Sequence, residues 1–135
     1  MLADKLMRTT VLMALILTLA MFSGCGSRDH LVTASDNESE VRLHTGEALV
    51  TRLESNPTTG YSWQVLEIDN SVLEQDGDPE FKAASGKGGE VGAGGEETIR
   101  FKALEPGKTR LTLGYMRPWE DLPPLKTFRI HVIVE

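Results

Sequence analysis

Apolar residues alternate with polar ones along most of the chain from residue 40 onwards, and this period of two is its most constraining feature. The alternation is clearest near the C-terminus, where Phe128, Ile130, Val132 and Val134 fall on one face of a predicted strand. Successive side chains of a strand point to opposite faces, so the pattern predicts half-buried strands. Beyond the N-terminal segment, no window has the sustained 3.6-residue period of a helix.

Turn signals divide this region into about seven short strands. The clearest turns are TGE at 45 to 47 and EPGK at 105 to 108, and DNS at 69 to 71 begins an irregular connection. We therefore predict an all-β fold, an immunoglobulin-like antiparallel β-sandwich of about seven strands. Trp63 is its predicted core aromatic, and there is no disulfide because Cys25 is the only cysteine.

The N-terminal 25 residues follow a different pattern. Lys5 and Arg8 precede a mostly apolar run of 12 residues from 11 to 22, which ends just before Cys25. A permanent membrane-spanning helix needs about 20 apolar residues, so the run predicts a secretory signal instead. FSGC at 22 to 25 resembles the lipobox of bacterial lipoproteins, in which the cysteine is acylated and becomes the new N-terminus. A plain signal peptide or an uncleaved anchor is the alternative.

These patterns predict three segments. Residues 1–24 are a lipoprotein signal peptide, residues 25–39 a lipidated N-terminus with a flexible tether, and residues 40–135 a single domain. Lipid on Cys25 would hold the protein on a bacterial membrane in the cell envelope, facing the periplasm or the exterior.

Charge and residue types exclude several classes of function. The chain has 20 acidic and 14 basic residues, a net charge of −6, which argues against nucleic acid as a partner. The three histidines lack the spacing of metal ligands, so no metal or cofactor is predicted. No nucleophile or carboxylate pair stands with a plausible base, and we predict no enzymatic activity. The acidic residues read as solvated loop charges are Glu96, Glu97, Glu120 and Asp121.

NPTTGY at 56 to 61 is the first of three loops that differ from ordinary strand connections. Asn56 can hydrogen-bond to its own backbone, Pro57 fixes φ at about −65°, and Gly60 can adopt a positive φ. Thr58 and Thr59 are then predicted at the tip of a stiff turn. Tyr61, together with Trp63, begins the next strand.

The other two loops carry glycine and tryptophan. The second, residues 86 to 97, has six glycines between 86 and 95, which would let its backbone approach a partner closely. The third, YMRPWEDLPP at 115 to 124, places Arg117 and Trp119 around Pro118. Each loop alone is typical of a structural turn. Loops of a sandwich alternate between its two ends, however, so we predict that these three share one end.

NPTTGYSW, GAGGEETIRF and YMRPWE, in this order on an all-β pattern, resemble the three signature loops of the chagasin-like inhibitors of papain-family cysteine peptidases. The resemblance covers roughly residues 40 to 135. It implies an immunoglobulin-like fold and a monomer that blocks a peptidase reversibly in a 1:1 complex. It also implies the binding residues, which are Asn56, Pro57, Thr58, Thr59, Gly60 and Tyr61 in the first loop, Gly92, Ala93, Gly94 and Gly95 in the second, and Arg117, Pro118 and Trp119 in the third.

The resemblance further implies a role for each loop. Thr58 would lie nearest the catalytic cysteine of the peptidase, the second-loop backbone would run along the substrate cleft, and Trp119 would contact an aromatic residue beyond it. The family has a single G-x-G-G in its second loop, whereas this chain has a further copy at 86 to 89. The copy at 92 to 95 is preferred because it leads directly into a strand. The alternative function is a binding module of the envelope that uses the same loops for a non-peptidase partner.

Overall fold

The computed structural model describes residues 26–84 and 94–135, which fold as two packed β-sheets. The predicted signal peptide, with Cys25, and residues 85–93 of the second loop lie outside the described residues. The nine strands are β1 (Asp29–Thr33), β2 (Glu40–Leu43), β3 (Ala48–Ser55), β4 (Ser62–Glu67), β5 (Leu73–Gln75), β6 (Glu80–Ala83), β7 (Gly95–Ala103), β8 (Gly107–Met116) and β9 (Lys126–Val134). Two short 3₁₀ turns cover Ala34–Asp36 and Pro57–Thr59.

The first sheet has the order β1-β3-β7-β5, with β6 also paired to β7, and the second has the order β2-β9-β8-β4. The period of two is confirmed, because β9 buries Phe128, Ile130, Val132 and Val134, while the residues between them are half-buried or exposed. These side chains meet those of the first sheet, including Phe101, to form one core. The described part of the chain therefore carries its own core, between residues 32 and 134.

The all-β sandwich prediction is confirmed, and two of its details are corrected. The sheets are mixed rather than wholly antiparallel, because β1 pairs with β3 and β2 pairs with β9 in parallel. The described residues form nine strands rather than about seven, since β1 and β5 were not predicted. Both are short edge strands, and β5 buries only Leu73, so neither shows a long alternation. No helix among residues 26–84 and 94–135 is long and apolar enough to cross a membrane.

The prediction of a flexible tether over residues 25–39 is wrong for β1 and the turn that follows it. β1 hydrogen-bonds along β3 from Asp29 to Thr33, and Asp29 also accepts two hydrogen bonds from Arg100, at 2.8 and 2.9 Å. The segment is polar because an edge strand needs few buried side chains. Here only Val32 is buried, with 4% exposure.

Val32→Ala should therefore lower the free energy of unfolding, by about 1 to 2 kcal/mol, because a buried methyl pair is removed from the core. Leu31→Ala is the matched control, since Leu31 is the neighbouring residue and is 50% exposed. Urea unfolding of both variants measures the difference. Equal midpoints for the two would contradict the packing of β1.

Candidate functional site: three loops at one end of the sandwich

Strand direction brings all three predicted loops to the same end of the sandwich. The first loop, residues 56 to 60, joins β3 to β4, the second joins β6 to β7, and the third, residues 117 to 125, joins β8 to β9. Ser55 of β3 and Ala83 of β6 both pair with Gly95, so the first two loops start side by side. The β4–β8 register brings the third loop beside the start of β4. We call this end of the molecule the loop end.

The first loop is a 3₁₀ turn that is hydrogen-bonded to itself. Gly60 has φ 81°, as predicted, and its N–H donates to the Pro57 carbonyl at 3.0 Å. The Thr59 hydroxyl donates to the Asn56 carbonyl, and the Thr58 hydroxyl donates to the Asn56 side-chain oxygen, both at 2.6 Å. Both threonines are exposed at the tip. The loop therefore presents a fixed surface rather than a loose chain.

Aromatic side chains support the first loop from below. The Tyr115 hydroxyl accepts a hydrogen bond from the Asn56 backbone N–H at 2.9 Å. The Tyr115 ring packs between Tyr61 and Trp63, with centroid distances of 5.4 and 5.2 Å. Trp63 is buried and donates from its indole nitrogen to the Glu54 carbonyl at 3.0 Å. Trp63 is therefore a core aromatic as predicted, and Tyr61 is a half-buried residue just before β4.

The third loop is fastened to the first by Arg117. Its Nε donates to the Thr59 carbonyl at 2.9 Å, its guanidinium carbon lies 4.5 Å from the centroid of the Tyr61 ring, and its Nη1 pairs with Glu120 at 3.0 Å. These contacts combine a charge-assisted hydrogen bond with a cation–π interaction. They make one surface out of two loops that are far apart in the sequence.

Trp119 lies over Gly60 and is nevertheless 71% exposed. A Cβ added to Gly60 would be 2.6 Å from the Trp119 Cη2 atom, so the ring would have to move aside. Glycine at position 60 is thus favoured by its positive φ, and it also allows the observed position of the Trp119 ring. Leu122 and Leu125, further along the third loop, are also largely exposed. The third loop therefore adds an apolar face to the loop end.

The second loop is described only at its two ends, because Gly92, Ala93 and the glycines at 86 to 89 lie outside the described residues. Ala84 N–H donates to the Gly94 carbonyl at 3.1 Å, which closes the base of the loop. A Cβ on Gly94 would be 3.4 Å from the Ser55 carbonyl oxygen, so this loop starts against the first. A Cβ on Gly95 would collide with the Lys82 carbonyl, which gives Gly95 a packing role between β6 and β7.

Glu97 was read as a solvated loop charge, and this is wrong. It lies on β7 and is only 6% exposed, beneath the first loop. Its carboxylate accepts a hydrogen bond from the Ser55 hydroxyl at 2.9 Å and from the Trp63 backbone N–H at 3.2 Å. The period of two could have identified it, because Glu97 shares the core-facing side of β7 with Ile99 and Phe101.

Burial raises the pKa of the Glu97 carboxyl, and the hydrogen bonds from Ser55 and Trp63 only partly offset this. A carboxyl whose pKa is higher in the folded than in the unfolded state costs stability when it ionises. Its ionisation therefore destabilises the fold as the pH rises through the unfolded-state pKa, and the cost is absent below that pKa. Within the described residues, no group of three or more His, Cys, Asp or Glu side chains could hold a metal ion.

Comparison with known proteins shows the family of the chain. The family model described as chagasin family peptidase inhibitor I42 matches residues 42–132. The chain belongs to the chagasin family. Amoebiasin-2 of Entamoeba histolytica is 31% identical in an alignment of 107 positions that covers 78% of this chain and 85% of that protein. Chagasin of Trypanosoma cruzi is 31% identical in an alignment of 102 positions that covers 67% of this chain and 83% of that protein.

Several solved structures have the same fold. The crystal structure of the cysteine protease inhibitor EhICP2 from Entamoeba histolytica has a TM-score of 0.70 and 28% identity, covering 79% of this chain and 96% of that one. ICP of Leishmania mexicana has a TM-score of 0.55 and 28% identity, over 74% of this chain and 90% of that one. PbICP-C, solved in complex with falcipain-2, shares the fold with a TM-score of 0.51 at 22% identity, over 81% of this chain and 91% of that one.

Proposed function

We propose that this chagasin-family domain is a reversible, tight-binding inhibitor of papain-like cysteine peptidases, and that its loop end fills the substrate cleft. The observation that carries the proposal is the joining of the first and third loops through Arg117, which leaves the tip threonines and Trp119 exposed side by side. Family membership supports the same activity.

The chemistry of a papain-like peptidase explains why such a surface would inhibit without being cleaved. The enzyme attacks a peptide carbonyl with a cysteine thiolate, and the carbonyl must be aligned for the attack. Thr58 at the tip offers a side chain instead, and its hydroxyl is already bonded to Asn56. The tip would therefore occupy the space above the thiolate without presenting a scissile bond.

Rigidity of the loop end accounts for tight binding. Pro57 and Pro118 restrict the backbone, and hydrogen bonds within and between the two loops hold their side chains in place. Little conformational freedom is then lost on docking, and this preorganisation favours affinity at a given contact area. Protease–inhibitor contacts of standard size bury about 1,600 Å² in total and reach nanomolar dissociation constants or better.

The direct test is a titration of papain and several cathepsin-like enzymes with residues 26–135. The rate of hydrolysis of a fluorogenic peptide measures the remaining peptidase activity. We expect competitive inhibition with 1:1 stoichiometry at nanomolar enzyme. A matched titration of a serine peptidase should show no inhibition. Full activity of every papain-like enzyme in the presence of excess protein would reject the proposal in favour of a module for a non-peptidase partner.

We further propose that Cys25 carries the lipid anchor and that the loop end faces away from the membrane. Only residues 26 to 28 separate Cys25 from β1, which leaves little free chain. β1 runs parallel to β3, with Asp29 beside Ala48, so the chain enters the sandwich at the end opposite the first loop. At about 3.3 Å per residue, the eight residues of β3 span roughly 25 Å between these ends. This direction supports an anchored inhibitor whose binding surface stays accessible.

Cys25→Ser should abolish lipid labelling and release the protein from the membrane fraction, because no other cysteine can be acylated. Metabolic labelling with a fatty acid analogue and fractionation of bacterial cells measure both effects. Ser27→Ala, two residues away, is the control and should stay labelled. A Cys25→Ser protein that remains in the membrane would point to an uncleaved anchor.

A further inference from the structure

One buried charge has no part in the contact with the peptidase described above. The Glu97 side chain lies in the core-facing row of β7, where the next positions are the buried apolar residues Ile99 and Phe101. None of the described lysines or arginines forms an ion pair with it. An apolar residue would fill this position at lower cost, because a buried carboxylate without a cation loses its hydration.

The two groups that contact Glu97 lie on either side of the first loop. Ser55 is the last residue of β3 and Trp63 is the second residue of β4, so the chain between them is the first loop and its immediate flanks. The Ser55 hydroxyl donates to Glu97 Oε2 at 2.9 Å. The Trp63 N–H points between the two carboxylate oxygens, at 3.2 and 3.3 Å.

The Trp63 contact also joins the two sheets at the loop end. β4 is an edge strand of the second sheet, and the Trp63 N–H finds its acceptor on β7, a strand inside the first sheet. Hydrogen bonds to an ionised acceptor are about twice as strong as neutral ones, and a carboxylate can accept several at once. A carboxylate here can therefore hold the two ends of the loop at a fixed separation, which an apolar side chain could not do.

We propose that Glu97 is a positioning residue for peptidase inhibition, whose carboxylate holds the first loop in its binding shape by joining Ser55 to Trp63. The effect on inhibition rests on the proposed function, whereas the effect on the loop does not. Glu97 lies beneath the exposed tip, so it acts on the peptidase only through Thr58 and Thr59 at that tip.

Glu97→Leu tests whether Glu97 holds the first loop in its binding shape or only occupies space in the core. The leucine removes the buried charge but leaves the Ser55 hydroxyl and the Trp63 N–H without their acceptor. These two effects oppose each other, so the melting temperature should change little. The first loop, however, loses the hydrogen bonds that join Ser55 and Trp63 through Glu97. We expect about tenfold weaker inhibition of papain and about tenfold faster hydrogen exchange of the Thr59 and Gly60 amides, as for the loss of a charge-assisted hydrogen bond.

Three controls accompany this variant. Glu96→Leu changes the neighbouring exposed glutamate and should leave inhibition and loop exchange unchanged. The Gly46 amide, bonded to the Ala103 carbonyl outside the loop end, should exchange at the same rate in all variants. Glu97→Gln keeps an acceptor oxygen for Trp63, so its loop exchange and its inhibition should fall between those of the wild type and Glu97→Leu.

A stable Glu97→Leu protein with wild-type inhibition and wild-type exchange at Thr59 and Gly60 would overturn the proposal. If Glu97→Leu does not fold, Glu97→Gln decides the matter. Faster exchange confined to the first-loop amides then supports positioning, and unchanged exchange there, or equally faster exchange at Gly46, overturns it. A wild-type protein that inhibits no papain-like enzyme defeats the proposed function alone, because the exchange measurement needs no peptidase.

Discussion

Trp119→Ala should weaken inhibition of papain by about 2 kcal/mol, roughly 30-fold, while the melting temperature stays nearly unchanged. The ring is 71% exposed in the free protein, so its removal opens no cavity in the core. Tryptophan is among the residues whose truncation to alanine most often lowers the binding free energy of an interface by about 2 kcal/mol or more. Inhibition constants and thermal unfolding of the same preparation measure the two effects.

Leu31→Ala is the control for this prediction, because Leu31 is a large exposed apolar residue on β1, outside the loops. Its inhibition constant should match that of the wild type. A large fall in the melting temperature of Trp119→Ala would show that the ring stabilises the fold instead. Unchanged inhibition would show that the third loop does not touch the peptidase.

Gly60→Ala should weaken inhibition by about tenfold or more, because the new Cβ displaces the Trp119 ring and strains the turn at the tip. The matched control is Gly77→Ala. Gly77 has φ 83°, close to the 81° of Gly60, but a Cβ there would meet nothing within 4 Å. Both alanines carry the same left-handed strain, about 1 to 2 kcal/mol, so the two variants should unfold at similar temperatures.

Only Gly60→Ala should inhibit papain more weakly, since only Gly60 lies beneath Trp119. Titrations of papain and melting curves for both variants measure this contrast. If the two variants inhibited equally well, the contact between Trp119 and the first loop would be irrelevant to binding. If Gly60→Ala unfolded far below Gly77→Ala, the ring would be held too firmly to move aside.

Strands with a long alternation of buried and exposed residues could be predicted from the sequence. The alternation in β9 and the turn residues around β8 identified these strands, because each buries several side chains on one face. β1 could not be identified in this way, since it buries Val32 alone and depends on backbone pairing with β3. The parallel pairing of β1 with β3 and of β2 with β9 likewise depends on contacts between segments distant in the sequence, which local patterns do not reveal.

The candidate site was predicted in outline, and its internal contacts were not. The positive φ of Gly60 and the shared end of the loops followed from turn chemistry and strand alternation. The bond from Arg117 to the Thr59 carbonyl and the ring above Gly60 join residues about 60 positions apart, so no local pattern indicates them. Glu97 was misread because its charge was given more weight than its place in the alternation.

The central claim is that the loop end occupies the substrate cleft of a papain-like peptidase. The most direct test is the rate at which an active-site-directed label, one that must enter that cleft, modifies the catalytic cysteine of papain in the presence of residues 26–135. We predict that protein at about ten times its dissociation constant reduces labelling in proportion to the free enzyme, and that Trp119→Ala restores most of the labelling at the same concentration. A peptidase that binds the protein and is still labelled at its full rate would contradict the account.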